Sequence, residues 1–188
     1  MTRIARIVAD QQVTLDDFQH LAEDPRALAD IIGRTAIDAG RGYFGATVTK
    51  VATTRVSIET PLGLYDAGAI YTRDAEETIE IDLLSALPTT GNQKIVALVM
   101  SGQEIDDETE ERDFRVGVVN NVIQTEARPT ATRLYRRAAI ATVQSAAAPQ
   151  PSRPVVDSSL TIIAWVTLSS TEVLSVEQNL EARINTLR

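Results

Sequence analysis

The chain has 188 residues, 44% apolar and 23% charged, so it can pack the core of one ordinary domain and is not disordered throughout. Twenty-six acids against 18 bases give a formal charge of -8, which repels a phosphate backbone, and aromatics at 4% offer no base-stacking surface, so nucleic acid is not expected as a partner. With no cysteine and one histidine, His20, the chain excludes disulfides, thiolate catalysis and cysteine-ligated zinc, and any triad would depend on one ring.

No apolar run approaches the ~20 residues that span a bilayer, so no membrane insertion is expected. Residues 1–12 carry Arg3 and Arg6 but no apolar core of a signal peptide, which points to folding in a cytoplasm. Ile4, Ile7 and Val8 are apolar yet precede the first helix signal, and 1–13 reads as an arm that docks on another subunit or protein. Residues 14–42 read as a kinked helical element. Thr14 and Asp17 open it, and Leu15, Phe18, Leu21 and Ala22 recur at helical spacing. Pro25 kinks it, Leu28, Ile31, Ile32 and Ala36 continue the stripe, and Gly40 and Gly42 end it.

From Tyr43 the period falls to two. Phe44, Ala46 and Val48 alternate with threonines, Val56 and Ile58 with Arg55, Ser57 and Glu59, and Ile79, Ile81 and Leu83 with Thr78, Glu80 and Asp82. The continuous apolar run 95–100 reads as a central strand buried on both faces. Further strands are expected at 114–119, 121–127, 132–143 and 160–168, with turns at Asp66-Ala67-Gly68, Gly91-Asn92, Asn120-Asn121 and Pro129. The Pro-rich stretch 144–159 reads as an extended loop inside this antiparallel β domain, 43–169. Over 170–188, Val173, Val176, Leu180 and Leu187 keep the 3–4–7 spacing of a coiled-coil seam, which predicts a C-terminal oligomerisation helix. The expected fold is therefore α+β, mainly β: an N-terminal helix, an antiparallel β-sandwich-like domain and a C-terminal coiled-coil-like helix.

Motifs with chemical meaning are few. Residues 40–45 match G-x-G-x-x-G, but with helix before and strand after, the reverse of what a dinucleotide site needs; a helix stop explains them better. Residues 104–113 hold seven acids but lack the alternating oxygens and central glycine of a calcium loop, so they read as a solvated hairpin tip. The stretch from Arg128 to Arg153 carries no acid and includes Arg133, Arg136 and Arg137; it could meet Asp106, Asp107, Glu110 and Glu111 within one subunit or across an interface. His20, between Phe18 and Leu21, reads as a surface or interface residue, since no triad partners can be named. Trp165, in an apolar strand, reads as core, with a sugar-stacking platform as the minority reading.

The order of these pieces carries a resemblance. The capped helix Thr14-Leu15-Asp16-Asp17-Phe18-Gln19 leads to the glycines of 40–45 and the apolar stretch 94–100. Arg133-Leu134-Tyr135, the Pro-rich 149–154, Ile162-Ile163-Ala164-Trp165-Val166 and a heptad-like tail then follow. This resembles the virion-proximal attachment region of tailed-bacteriophage tail fibre and baseplate proteins. The resemblance implies a structural virion component in the tail, assembled in the host cytoplasm, without catalysis or cofactor. It implies a homo-oligomer, a trimer, that joins the tail tip to fibres or neighbouring wedge subunits. The alternative reading is a carbohydrate- or receptor-binding β-sandwich module that uses its loops.

Overall fold

A computed structural model describes residues 30–31, 40–74, 78–119 and 122–184 of the chain. Among the described residues ten strands carry the fold: β1 (Arg41–Phe44), β2 (Val48–Lys50), β3 (Arg55–Ile58), β4 (Leu62–Asp66), β5 (Ala69–Arg73), β6 (Ile79–Asp82), β7 (Lys94–Val119), β8 (Val122–Gln144), β9 (Thr161–Leu168) and β10 (Val173–Gln178). Alternation does what it predicts in β3, where Val56 and Ile58 are buried and Arg55 is exposed. The Asp66-Ala67-Gly68 signal falls on the β4–β5 hairpin. Ala67 and Gly68 both have positive φ, 49° and 108°, the handedness that matches the twist of two paired strands.

Seven strands form one sheet in the order β1-β4-β5-β8-β7-β9-β10, and β2-β3-β6 form a second. Pairing in the large sheet is antiparallel except between β5 and β8, which run parallel at Thr72 and Arg137. The sheet curls until its edges meet. After β10 the chain returns to β1, where the Tyr43 N–H donates to the Ala182 carbonyl at 2.9 Å and the Ile184 N–H to the Tyr43 carbonyl at 2.7 Å. Gly42 permits this closure, because a Cβ there would lie 2.6 Å from Ile184 Cγ1. The small sheet packs across the curl, tied to β10 by the Val173 N–H, which donates to the Thr53 carbonyl at 2.8 Å. Between them lies one core that includes Tyr43, Ile58, Leu62, Leu64, Leu98, Met100, Ile163 and Leu168. The run 96–100 is fully buried, with β8 on one side and β9 on the other.

The expected fold class needs correction. Residues 173–178 are the edge strand β10, so there is no C-terminal coiled-coil-like helix over the described part of 170–188. A bulge explains the misleading spacing. The β10 register against β9 shifts between Val173 and Ser175, and this extra residue puts Val173 and Val176 on one side at a separation of three. Val173 is buried and Val176 packs against the core, a three-residue separation that mimics a helix turn. The expected two-layer sandwich is instead a curled sheet with joined edges and a smaller sheet across it. The helix expected over 14–42 lies mostly outside the described residues; Asp30 and Ile31 are helical, Arg41 and Gly42 belong to β1, and among the described residues no helix reaches seven residues. Phe44, Ala46 and Val48 do not share a strand, because Gly45 and Ala46, with φ of 66° and 54°, turn the chain between β1 and β2.

Candidate assembly interface

The most unusual feature grows out of β7 and β8, of 26 and 23 residues. Their antiparallel register runs from Val96 opposite Gln144 to Val119 opposite Val122, with one shift between Arg115 and Gly117. Their neighbours stop early. The partner β9 covers β7 only up to Met100, and β5 meets β8 only at Thr72 and Arg137. Beyond Gln103 and Arg137 the two strands pair only with each other among the described residues. At ~3.3 Å per residue this two-stranded ribbon extends about 55 Å.

The acidic run 104–113 is therefore not a hairpin tip but the middle of one ribbon strand. Asp and Glu are poor strand formers, which is why the run did not read as a strand. Its partner compensates by register: Glu104 lies opposite Arg136 and Asp107 opposite Arg133, and opposite charges across an antiparallel pair are stabilising. Asp106 lies opposite Leu134, Glu110 opposite Thr130, Glu111 opposite Pro129, and Arg137 opposite Gln103. Val119 opposite Val122 is the last pair of the register, the Asn120-Asn121 signal lies outside the described residues, and the Pro129 turn signal falls inside β8. The calcium alternative for this run concerns side chains outside the described residues.

Arg136 pins the ribbon where it leaves the body. Its guanidinium donates to both Asp30 carboxylate oxygens, at 2.8 and 3.1 Å, and through Nε to Glu104 at 2.9 Å. It also lies 5.9 Å from the centre of the Tyr71 ring. The hydrogen bond to Asp30 first, and the one to Glu104 after it, hold the Arg136 pKa well above its ordinary value. The Tyr71 ring packs on Gly102, where a Cβ would come within 2.5 Å of ring carbons, so the glycine seats the ring. One arginine thus joins the N-terminal segment, both ribbon strands and β5. Its hub role carried no sequence signal beyond a place in an arginine-rich stretch.

A second candidate lies on the outer face of β9. Ala164, Val166 and Leu168 face the core, so Trp165 faces out, half-buried, opposite Glu177 of β10. This corrects the reading of Trp165 as core. The Pro-rich loop brings Arg153 over the indole at 3.8 Å, and Arg153 also bonds Glu177 at 2.6 Å. Beside them is a cleft of about 240 Å³ lined by Arg153, Trp165, Glu177, Asn179, Leu180 and Glu181 among others. The indole N–H is buried without a partner in the structure. The amide of Gln178 is occupied inward, on Tyr43, Ala46 and Val48.

The remaining expected site residues scatter. Leu180, expected in a helical seam with Val173 and Val176, is 65% exposed beside this cleft. Leu187, the docking-arm residues Ile4, Ile7 and Val8, and His20 lie outside the described residues. Gly42 and Gly45 of the G-x-G-x-x-G match serve close approach and a turn around β1, with no helix following. Among the described residues no helix is long and apolar enough to cross a membrane. Comparison with protein-family models, with curated proteins and with solved structures finds no match to this chain.

Proposed function

We propose that this chain is a structural component of a phage tail or baseplate that joins neighbouring subunits through the β7–β8 ribbon. One observation carries the joining role: about 55 Å of ribbon pairs with nothing else among the described residues. A two-stranded ribbon alone is marginal in water, and a long one is best stabilised by a surface to lie on. Val116, 53% exposed at the bulge, and Ile105, 37% exposed, add apolar side chains for such a surface. The tail assignment itself rests on the sequence resemblance, without its heptad-like tail, which forms β10. Self-association, expected of a C-terminal helix, passes in this reading to the ribbon. The reading includes no catalytic step and no cofactor.

The test shortens the ribbon at a registered pair, joining Asp106 to Leu134 through a two-residue turn. The expected result is loss of assembly by sedimentation with the unfolding transition of the body retained. Unchanged mass would overturn the joining role. For the tail assignment, the chain should sediment with tailed particles from a lysate of producing cells, and its absence from them would overturn it.

A carbohydrate- or receptor-binding module is the second reading, and the cleft beside Trp165 is the observation in its favour. Arg153 already covers the indole at 3.8 Å, which leaves less of the ring for a sugar to stack on.

A further inference from the structure

The wall of the cleft beside Trp165 is firmly held. At the end of β10 the Asn179 N–H donates to the Ile163 carbonyl at 2.8 Å, its side-chain amide donates to the Ile162 carbonyl at 2.9 Å, and its own carbonyl accepts the Tyr43 hydroxyl at 2.7 Å. Against this wall the chain seats one cation of its own. The Arg153 guanidinium lies 3.8 Å from the centre of the Trp165 ring and 2.6 Å from the Glu177 carboxylate. A ring face with a carboxylate beside it is the chemistry that holds a guanidinium. Two features make Arg153 an exchangeable occupant. It belongs to 151–157, which form neither strand nor helix, and its ion pair is open to solvent, with side-chain exposures of 49% for Arg153 and 63% for Glu177, so the pair contributes little energy. The cleft also holds more negative charge than Arg153 balances: Glu177 and Glu181 both line it against one guanidinium, and Glu181 has no hydrogen-bond or ion-pair partner among the described residues.

We infer that the cleft of Trp165, Glu177 and Glu181 receives an arginine side chain of a partner protein, which takes the place that Arg153 fills in the free chain. The incoming guanidinium stacks on the indole, bonds Glu177 and gains Glu181, a carboxylate that Arg153 leaves unpaired. Arginine suits the site better than lysine, because a planar guanidinium stacks on a ring and meets a carboxylate with two N–H groups, whereas an ammonium acts as a point charge. Leu180, 65% exposed on the same cleft, offers its surface to the aliphatic stem. A volume of about 240 Å³ is below the ~300–1,000 Å³ of small-molecule pockets and suits one long side chain. The formal charge of -8 on the whole chain draws basic partners toward it. Arg153 is then an internal competitor, which keeps the indole covered until a partner arrives. This site is separate from the ribbon and does not depend on its joining role.

The experiment titrates the full-length chain with N-acetylarginine methylamide, one arginine side chain on a peptide backbone, and follows the single tryptophan by its emission and its indole N–H signal in NMR. The probe should bind Arg153→Ala about tenfold more tightly than wild type, because the competitor that closes the site is gone. In that variant it should also reverse, saturably, the red shift left by the missing guanidinium. Adding Glu181→Gln, or Glu177→Gln, to Arg153→Ala should weaken the probe about threefold or more. Equal affinity for wild type and Arg153→Ala, or an affinity that neither glutamate changes, would overturn the inference. The same spectral change with sodium chloride at matched ionic strength would overturn it too, as screening alone. Spermidine that binds more tightly than the arginine probe would assign the cleft to a free polyamine and overturn the partner-protein occupant. If circular dichroism shows Arg153→Ala unfolded, Arg153→Gln takes its place; if both unfold, wild type decides, and an indole signal that the probe does not shift saturably would overturn the inference.

Discussion

Gln178 and Tyr43 lie 135 positions apart, yet the Gln178 amide donates to the Tyr43 hydroxyl at 2.9 Å. The same amide donates to the Ala46 carbonyl at 3.1 Å, and its oxygen accepts the Val48 N–H at 3.0 Å. The Tyr43 hydroxyl in turn donates to the Asn179 carbonyl at 2.7 Å. One side chain of β10 therefore ties together β1, the turn after it and the start of β2. Burial raises the Tyr43 pKa, opposed by the Gln178 hydrogen bond, as fits a neutral hydroxyl held in a packed site.

Gln178→Ala is expected to destabilise the fold by about 1–3 kcal/mol, because the Val48 N–H and the Ala46 carbonyl lose their partner. The urea midpoint should fall at an unchanged slope. Tyr43→Phe keeps the ring in the core and should cost less. Equal stability of Gln178→Ala and wild type would show that water replaces the amide at no cost.

Arg136→Lys keeps the charge but loses the two-pronged contact with Asp30. A loss of about 1–2 kcal/mol is expected, since an ammonium cannot reproduce the planar fork. Hydrogen exchange should speed up at the ribbon base, around Gln103 and Arg137, ahead of the core strands. Uniform exchange would mean that Arg136 does not anchor the ribbon.

Gly102→Val should displace the Tyr71 ring, which packs on that backbone. The expected result is a destabilised protein in which Tyr71→Ala restores part of the loss, the non-additivity of two residues in contact. Additive effects would show that the ring shifts aside freely.

Acid should weaken the fold through Asp82 and Asp157. The Asp82 carboxylate accepts the Leu84 N–H at 2.9 Å, and this bond first, then the Thr54 hydroxyl, lowers its pKa below 3.8. Asp157 is lowered by the hydrogen bonds from Ser159 and then by Arg41. Groups lowered on folding contribute stability above the unfolded pKa and lose it as pH falls through the folded value. Stability should therefore decline below about pH 4, and Asp82→Asn with Asp157→Asn should flatten that limb in a series of urea melts. An unchanged limb would place the acid sensitivity elsewhere.

Arg153→Ala should uncover the single tryptophan. The guanidinium lies 3.8 Å from the indole, so its removal should red-shift the emission of Trp165 and increase quenching by acrylamide. A spectrum identical to wild type would mean that the indole is shielded by other groups.

Where one face of a strand is buried and the other wet, the sequence alone determined the element. Alternation marked Val56 and Ile58 of β3 and Ile79 and Ile81 of β6, continuous apolarity marked the middle of the sheet at 95–100, and Asp66-Ala67-Gly68 marked a hairpin turn. Those signals are local, set by what one residue and its near neighbours must bury. Tertiary structure decided the rest, because the forces involved act between distant residues. A bulge placed Val173 and Val176 three apart on one side of a strand, a spacing the sequence shares with a helix. The acidic run became a strand because arginines some thirty residues on lie opposite it, with Glu104 facing Arg136 and Asp107 facing Arg133. Trp165 faced outward because the pleat gave the core to Ala164 and Val166. The curl closed because Gly42 left room for Ile184 and Gln178 reached Tyr43, pairings set by partners more than 130 positions away.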